Sequence, residues 1–359
     1  MSDTNSRATI YTIAERTGVS ISTVSLAINH PHRVSDATRK KIVDAARALG
    51  YRPDGAWRAR TGARPVGIAV AAPFTSYSSY SRRLAGVLTR LRDTGIDVMV
   101  YDLESASAAE SPLLDSLPIR AGVDGIIVMG VPLSRDGGTK LADWGPPVVL
   151  LDASDGRTPS VLIDDREGGR LVAEHLIALG HERVAFVHDA QRSLDYVSAG
   201  MDRAGGLLAA FEKAGLASGV VGVEAPRETD AAADAALARA VLASGATAVF
   251  AGHDELAART SAALADAGVR VPDDLALVGF DDGPLARGLG LTTVRQPFEE
   301  SGSAAAELLL GLISGQRAEA AQVMLGVELV VRASTRAAAA GDARPDAAAS
   351  NGRPGVAVG

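Results

Sequence analysis

Tyr11-Thr-Ile-Ala-Glu-Arg-Thr-Gly-Val-Ser-Ile-Ser-Thr-Val-Ser-Leu-Ala-Ile-Asn29 is the stretch on which the reading of this chain turns. Thr9 stands where a helix N-cap belongs, and Ile10, Ile13 and Ala14 share one face of a helix over residues 10–17. Gly18 stops that helix and Val19 fills the turn. Ser20 caps a second helix, residues 21–29, in which Val24 and Ile28 lie four apart and point inward. Pro31 ends it, and Ser35 caps a third helix, residues 36–49, closed by Gly50 and followed by Pro53. Ile42, Ala45, Ala46 and Leu49 give this third helix an apolar stripe. Two short helices around a glycine turn, closed by a third, make a small three-helix unit of the helix-turn-helix kind.

Charge supports that reading. The chain carries a net charge of −7. Residues 1–62 hold ten basic side chains against five acidic ones, a local +5, which leaves −12 for the remainder. A basic head on an acidic body directs one end toward phosphates and keeps the other away from them.

The chain has 359 residues, too many for one ordinary core and enough for a small domain plus a large one. Hydrophobic residues are 47% but aromatics only 4%, so the core is aliphatic. There is no cysteine, which excludes disulfides, zinc-thiolate sites and a cysteine nucleophile. No long apolar run suggests a membrane span, and Met1–Arg7 lacks a signal-peptide character; a cytoplasmic protein is expected. From Pro65 short apolar runs alternate with amphipathic helical stretches. Strands are expected over 66–71, 97–101, 125–129, 148–151, 184–187, 246–250 and 275–279, and helices over 80–93, 167–179, 204–214, 230–243 and 254–267. Repeated βα units imply parallel sheets covered on both faces, and the run is long enough for two lobes. The expected organisation is a disordered arm 1–8, an all-α helix-turn-helix headpiece 9–53, a hinge 54–64, a two-lobed α/β domain 65–336 and a disordered tail 337–359. Ligands of open α/β sheets sit beyond the carboxyl ends of the strands, which makes the cleft between lobes the natural site.

The quoted stretch, with its continuation from Val34-Ser35 to Gly50-Tyr-Arg-Pro53, resembles the headpiece of LacI-family regulators. Further matches follow in order: Val123-Asp-Gly-Ile-Ile-Val128, Glu174-His-Leu-Ile-Ala-Leu-Gly-His181, Val271-Pro-Asp-Asp-Leu-Ala-Leu-Val-Gly-Phe-Asp-Asp282, Leu291-Thr-Thr-Val-Arg-Gln-Pro297 and Glu328-Leu-Val-Val-Arg332. The resemblance implies a two-lobed domain similar to periplasmic binding proteins, double-stranded DNA and a small-molecule effector as partners, and a homodimer on a palindromic operator. It places Ile21, Ser22 and Leu26 at the main base-reading positions. Ser20, Thr23, Ser25 and Asn29 brace the helix or meet phosphates, and Tyr11 and Arg33 match phosphate-facing positions. Where relatives often have Arg, this chain has Leu26, which can make only an apolar contact, so the operator is not transferable from relatives. The hinge match puts Trp57 or Arg60 toward the minor groove, Arg60 standing where relatives insert a Leu.

For the effector, the resemblance points to Ser79 and Tyr80 after the first strand, to Arg203, to Asp254, and more weakly to Asp152 and Gln296. Arg and a carboxylate can bracket a polyol, so a sugar or sugar derivative is the expected class, although Ser79 replaces the usual aromatic. Asp281 and Asp282 read as cap or turn residues. Two other functional classes fit the sequence less well. A transporter's solute receptor would need an export signal and no headpiece. An enzyme would need a catalytic constellation, and none is visible: His188 and His253 lie near strand ends singly, and no P-loop or dinucleotide spacing follows a strand. No catalytic residue, metal or cofactor is expected.

Overall fold

The computed structural model describes residues 8–51, 67–103, 112–120, 122–131, 146–190, 198–316 and 321–336. Trp57, Arg60, the hinge, the tail and all of the arm except Ala8 lie outside them.

The head forms from its caps. α1 (Ile10–Thr17) opens on a reciprocal pair: the Thr12 N–H donates to Thr9 Oγ1 at 3.3 Å and the Thr9 N–H to Thr12 Oγ1 at 2.8 Å. Gly18, at φ 66°, takes the left-handed conformation that ends the helix and turns the chain. α2 (Ile21–Asn29) is capped by Ser20, whose Oγ accepts from the Thr23 N–H at 3.1 Å. α3 (Asp36–Ala48) is capped by Ser35, one residue shorter at its end than the pattern suggests. Ile13, Val24, Ala27, Ile28, Ile42, Ala45 and Ala46 bury one another. Ile119, 2% exposed and far along the chain, completes that cluster.

The chain divides into two compact units. The first comprises residues 1–164, 191–197 and 296–327, the second residues 165–190, 198–295 and 328–359. The first unit holds β1 (Gly67–Ala72), α4 (Ser79–Leu91), β2 (Asp97–Asp102), α5 (Pro112–Ser116), β3 (Gly125–Met129), β4 (Val148–Leu151) and β5 (Ser160–Ile163). Its sheet, in the order β11 (Gln322–Leu325), β5, β4, β3, β1, β2, is parallel throughout. The second unit holds α6 (Asp165–Ala178), β6 (Val184–His188), α7 (Ala199–Lys213), β7 (Val220–Glu224), α8 (Ala231–Ala243), β8 (Ala248–Ala251), α9 (Asp254–Asp266), β9 (Ala276–Asp281), α10 (Pro284–Gly288) and β10 (Thr292–Arg295). The chain then returns to the first unit for α11 (Phe298–Ile313) and β11 (Gln322–Leu325), and ends in the second with β12 (Glu328–Val330). The second sheet runs β12-β10-β9-β8-β6-β7, with only β12 antiparallel.

Strands buried on both faces explain the continuous apolar runs: β1, β3 and β4 are buried at every position. On one face of the first sheet Ile68, Val70, Ile127 and Val149 pack under α4 and α11. On the other, Ala69, Ala71, Ile126 and Val128 pack under Leu114 and Leu117. The two units repeat one plan, order β2-β1-β3-β4-β5 in the first and β7-β6-β8-β9-β10 in the second. Each has a close helix crossing. A Cβ on Gly302 of α11 would lie 1.9 Å from the carbonyl oxygen of Arg83 in α4. A Cβ on Gly169 of α6 would lie 2.0 Å from that of Arg203 in α7. The strands and helices expected from Pro65 onward are all present, and β5, β7, β10, β11, β12, α5, α10 and α11 are additional to them.

Candidate nucleic-acid interface and ligand site

In α2 the anchors and the reading face separate cleanly. Val24 and Ile28 are buried, Ile21 is 40% exposed, and Ser22 is exposed. Thr23 is half-buried and shares a hydrogen bond with Ser20 Oγ at 2.8 Å. Ser25 and Leu26 are half-buried. Asn29 is exposed, its amide donating to Ser25 Oγ at 3.4 Å. Tyr11, 65% exposed, and Arg33, exposed on the turn Pro31–Arg33, flank the helix. The carbonyl of Asn29 accepts from Arg120 Nη2 at 3.3 Å, and that guanidinium lies 5.0 Å over the ring of Tyr101. The head is therefore seated on the segment 117–120 of its own unit with Ile21 and Ser22 still facing solvent.

In the first unit Ser79 begins α4 and is half-buried, while Tyr80 is 7% exposed and belongs to the core. Tyr77, absent from the sequence reading, is 42% exposed and meets Tyr80 edge to face at 6.1 Å. It is the accessible aromatic of that loop among the described residues. Asp152 follows β4 with φ 60°, a conformation seldom adopted outside glycine. Arg83, likewise missed, ties this edge together. Its Nη2 donates to Asp152 Oδ2 at 2.9 Å and to Gln296 Oε1 at 3.4 Å, and its Nη1 to Ser301 Oγ at 3.1 Å. Nothing in the pair Arg82-Arg83 announces that one of them is buried; only the crossing with α11 decides it.

In the second unit Arg203 is 9% exposed and lies 3.8 Å over the Phe280 ring. Its Nε donates to Asp165 Oδ1 at 2.8 Å and its Nη1 to the Gly252 carbonyl. Asp254 is 2% exposed, and both its oxygens accept, one from the Gly283 N–H at 2.8 Å and one from Thr293 Oγ1 at 2.7 Å. Burial, and then the nearby Asp281 charge, push its carboxyl up to about 7. Asp254 thus ties the start of α9 to the Gly283 turn and to β10, and its neighbour His253 is half-buried at the same strand end. The His253 Nε2 lies 3.1 Å from Asp189 Oδ2 and Nδ1 lies 3.3 Å from Glu255 Oε2. Burial works against the charged imidazole, but Asp189, Glu255 and Asp281 outweigh it and raise the ring to about 9. Nδ1 also lies 3.2 Å from the Leu256 N–H and can accept from it only when neutral; the charged form, which prevails at neutral pH, donates to Glu255 instead. Asp281 ends β9 with φ 120°, while Asp282 is buried between Arg295, at 2.7 Å, and Arg332, at 2.5 Å. A strand-to-helix junction was visible in the sequence, but not which of two adjacent residues would turn inward.

Among the described residues no group of His, Asp and Glu side chains could hold a metal ion, and no helix is long and apolar enough to cross a membrane.

Comparison with known proteins agrees with this arrangement. Residues 9–54 match the family described as bacterial regulatory proteins, lacI family, and residues 173–335 match a periplasmic binding protein-like domain. The HTH-type transcriptional regulator DegA of Bacillus subtilis is 31% identical over 337 residues, covering 92% of this chain and 98% of that protein. A complex of the transcriptional regulator CelR with cellobiose is similar at 28% identity and a TM-score of 0.64, covering 92% of this chain and all of the other. The lac repressor dimer bound to operator and the anti-inducer ONPF is similar at the same identity, TM-score and coverage. From the fully capped head to the two parallel-sheet units, the chain belongs to the LacI family of DNA-binding transcriptional regulators.

Proposed function

We propose that the protein is a repressor that reads a palindromic operator as a homodimer and changes its grip in response to a small polar effector, a sugar or sugar derivative. The observation that carries the reading is the division of α2, with Val24 and Ile28 anchored and Ile21 and Ser22 left to solvent beside a basic surround. One short helix reads few bases, so pairing two heads on a twofold site supplies the missing affinity. Base contacts are assigned to Ile21, Ser22 and Leu26, and phosphate or bracing roles to Tyr11, Ser20, Thr23, Ser25, Asn29 and Arg33. Trp57 or Arg60 approaches the minor groove. The protein works in the cytoplasm, where its DNA is, by binding and not by catalysis.

Effector contacts are assigned to Ser79, Asp152 and Gln296 in the first unit and to Arg203 in the second. Tyr77 takes the aromatic role in place of the buried Tyr80, and Asp281 with His253 takes the polar role in place of Asp254, whose oxygens are already engaged. A relative bound to cellobiose and another bound to operator support a sugar effector and a DNA-bound dimer.

Selection of DNA from a randomised duplex library tests this. The purified protein should retain a twofold-symmetric motif, and Ser22→Ala should relax it at one position per half-site. Leu26→Arg should bring in a guanine preference of about 1–3 kcal/mol. Recovery of no motif would remove the reading.

A further inference from the structure

The repeated plan of the two units gives Arg83 a counterpart. It is the fifth residue of α4 and stands three before Gly86; Arg203 is the fifth residue of α7 and stands three before Gly206. The carbonyl of each receives the crossing glycine of the partner helix, Gly302 for Arg83 and Gly169 for Arg203. Each guanidinium lies over a phenylalanine, Arg83 at 4.8 Å from the Phe298 ring and Arg203 at 3.8 Å from that of Phe280. Each pairs with an aspartate at a strand end or helix start, Asp152 and Asp165.

The two differ in one respect. Arg203 Nε donates to Asp165, whereas Arg83 Nε is buried with no acceptor among the described residues, in a residue only 1% exposed. A buried guanidinium is costly unless its charge is matched and its donors are used. Asp152 matches the charge at 2.9 Å, but one N–H lacks a partner among the described residues. The glycine crossing needs no arginine, since close approach there involves the backbone alone.

We propose that Arg83 determines effector specificity: it fixes Asp152 and Gln296 in place and gives its Nε–H to an oxygen of an uncharged, hydroxylated ligand. This rests on the effector reading above. Arg83 and Asp152 neutralise each other, so the pair has no net charge with which to attract a sugar acid or a sugar phosphate. Asp152 accepts only, and the Nε–H donates only, which is the pairing that adjacent hydroxyls satisfy. The same ion pair holds the Asp152 carboxylate, so losing Arg83 also frees it to turn away.

Thermal unfolding of the full-length protein, titrated with cellobiose, ribose, gluconate and glucose 6-phosphate, tests the proposal. A neutral sugar should raise the midpoint and the two anions should not. Arg83→Leu should weaken the response to that sugar by about tenfold or more and alter the preference between cellobiose and ribose. Arg83→Lys, which keeps the charge but not the fork, should not restore it. Should Arg83→Leu alone unfold, the Arg83→Leu/Asp152→Asn protein leaves no unpaired charge, keeps a side chain that tolerates the left-handed backbone, and should fold without responding. Undiminished response in the single or the double variant overturns the proposal, as does preference for either anion. A protein that responds to none of the four probes overturns the effector reading itself.

Discussion

At the scale of single residues, His253 has the clearest consequence in solution. Its imidazole is raised to about 9 in the folded protein, above the ordinary value of 6.5. A group raised on folding stabilises fully below its unfolded value and loses that contribution as pH climbs through the folded one. Asp254, raised to about 7, has the same sign at lower pH. The melting temperature should therefore fall between about pH 6.5 and 9, and His253→Gln should flatten that fall. An unchanged profile in the variant would contradict the assignment. Residues were also where sequence reading was weakest. Asp254 and His253 sit at one junction, and a rotation of one position decides which is fully buried. Arg83 reads as a solvated charge until α11, more than 200 residues later in the chain, is laid across it. Long-range packing of this kind leaves no local pattern.

At the scale of elements, the head was almost wholly legible because Thr9, Ser20, Ser35 and Gly18 each act on their own neighbours. The long buried strands were legible for the same reason. β5, β10, β11 and β12 open on Ser160, Thr292, Gln322 and Glu328, so none is the unbroken apolar run that marks β4 and β8, which are just as short as the first three. The helix crossings make a sharper statement. Gly302→Val would drive a side chain into the Arg83 carbonyl and should cost about 3 kcal/mol or more, read by urea unfolding. Gly200→Ala, in the first turn of α7 with no atom closer than 3.8 Å, should change stability by no more than about 1 kcal/mol.

Across the whole molecule, charge is sorted by position, with +5 in the first 62 residues and −12 after them. Affinity for a duplex recovered from the library should fall steeply with salt, and Arg33→Ala should reduce the logarithmic slope by about one. The acidic remainder should make no favourable contribution, so neutralising Asp266, remote from the head in sequence, should leave that slope alone.

Packing joins the head to the rest of its unit as charge sets it apart. Ile119 is a buried member of the head's apolar cluster, so Ile119→Ala should cost about 2–5 kcal/mol and speed hydrogen exchange in the head helices. A recombinant hybrid that transplants only the first fifty residues onto a relative's body would carry the DNA contacts but leave a hole beneath them. Specificity in this protein is portable only if the plug at positions 117–120 travels with it.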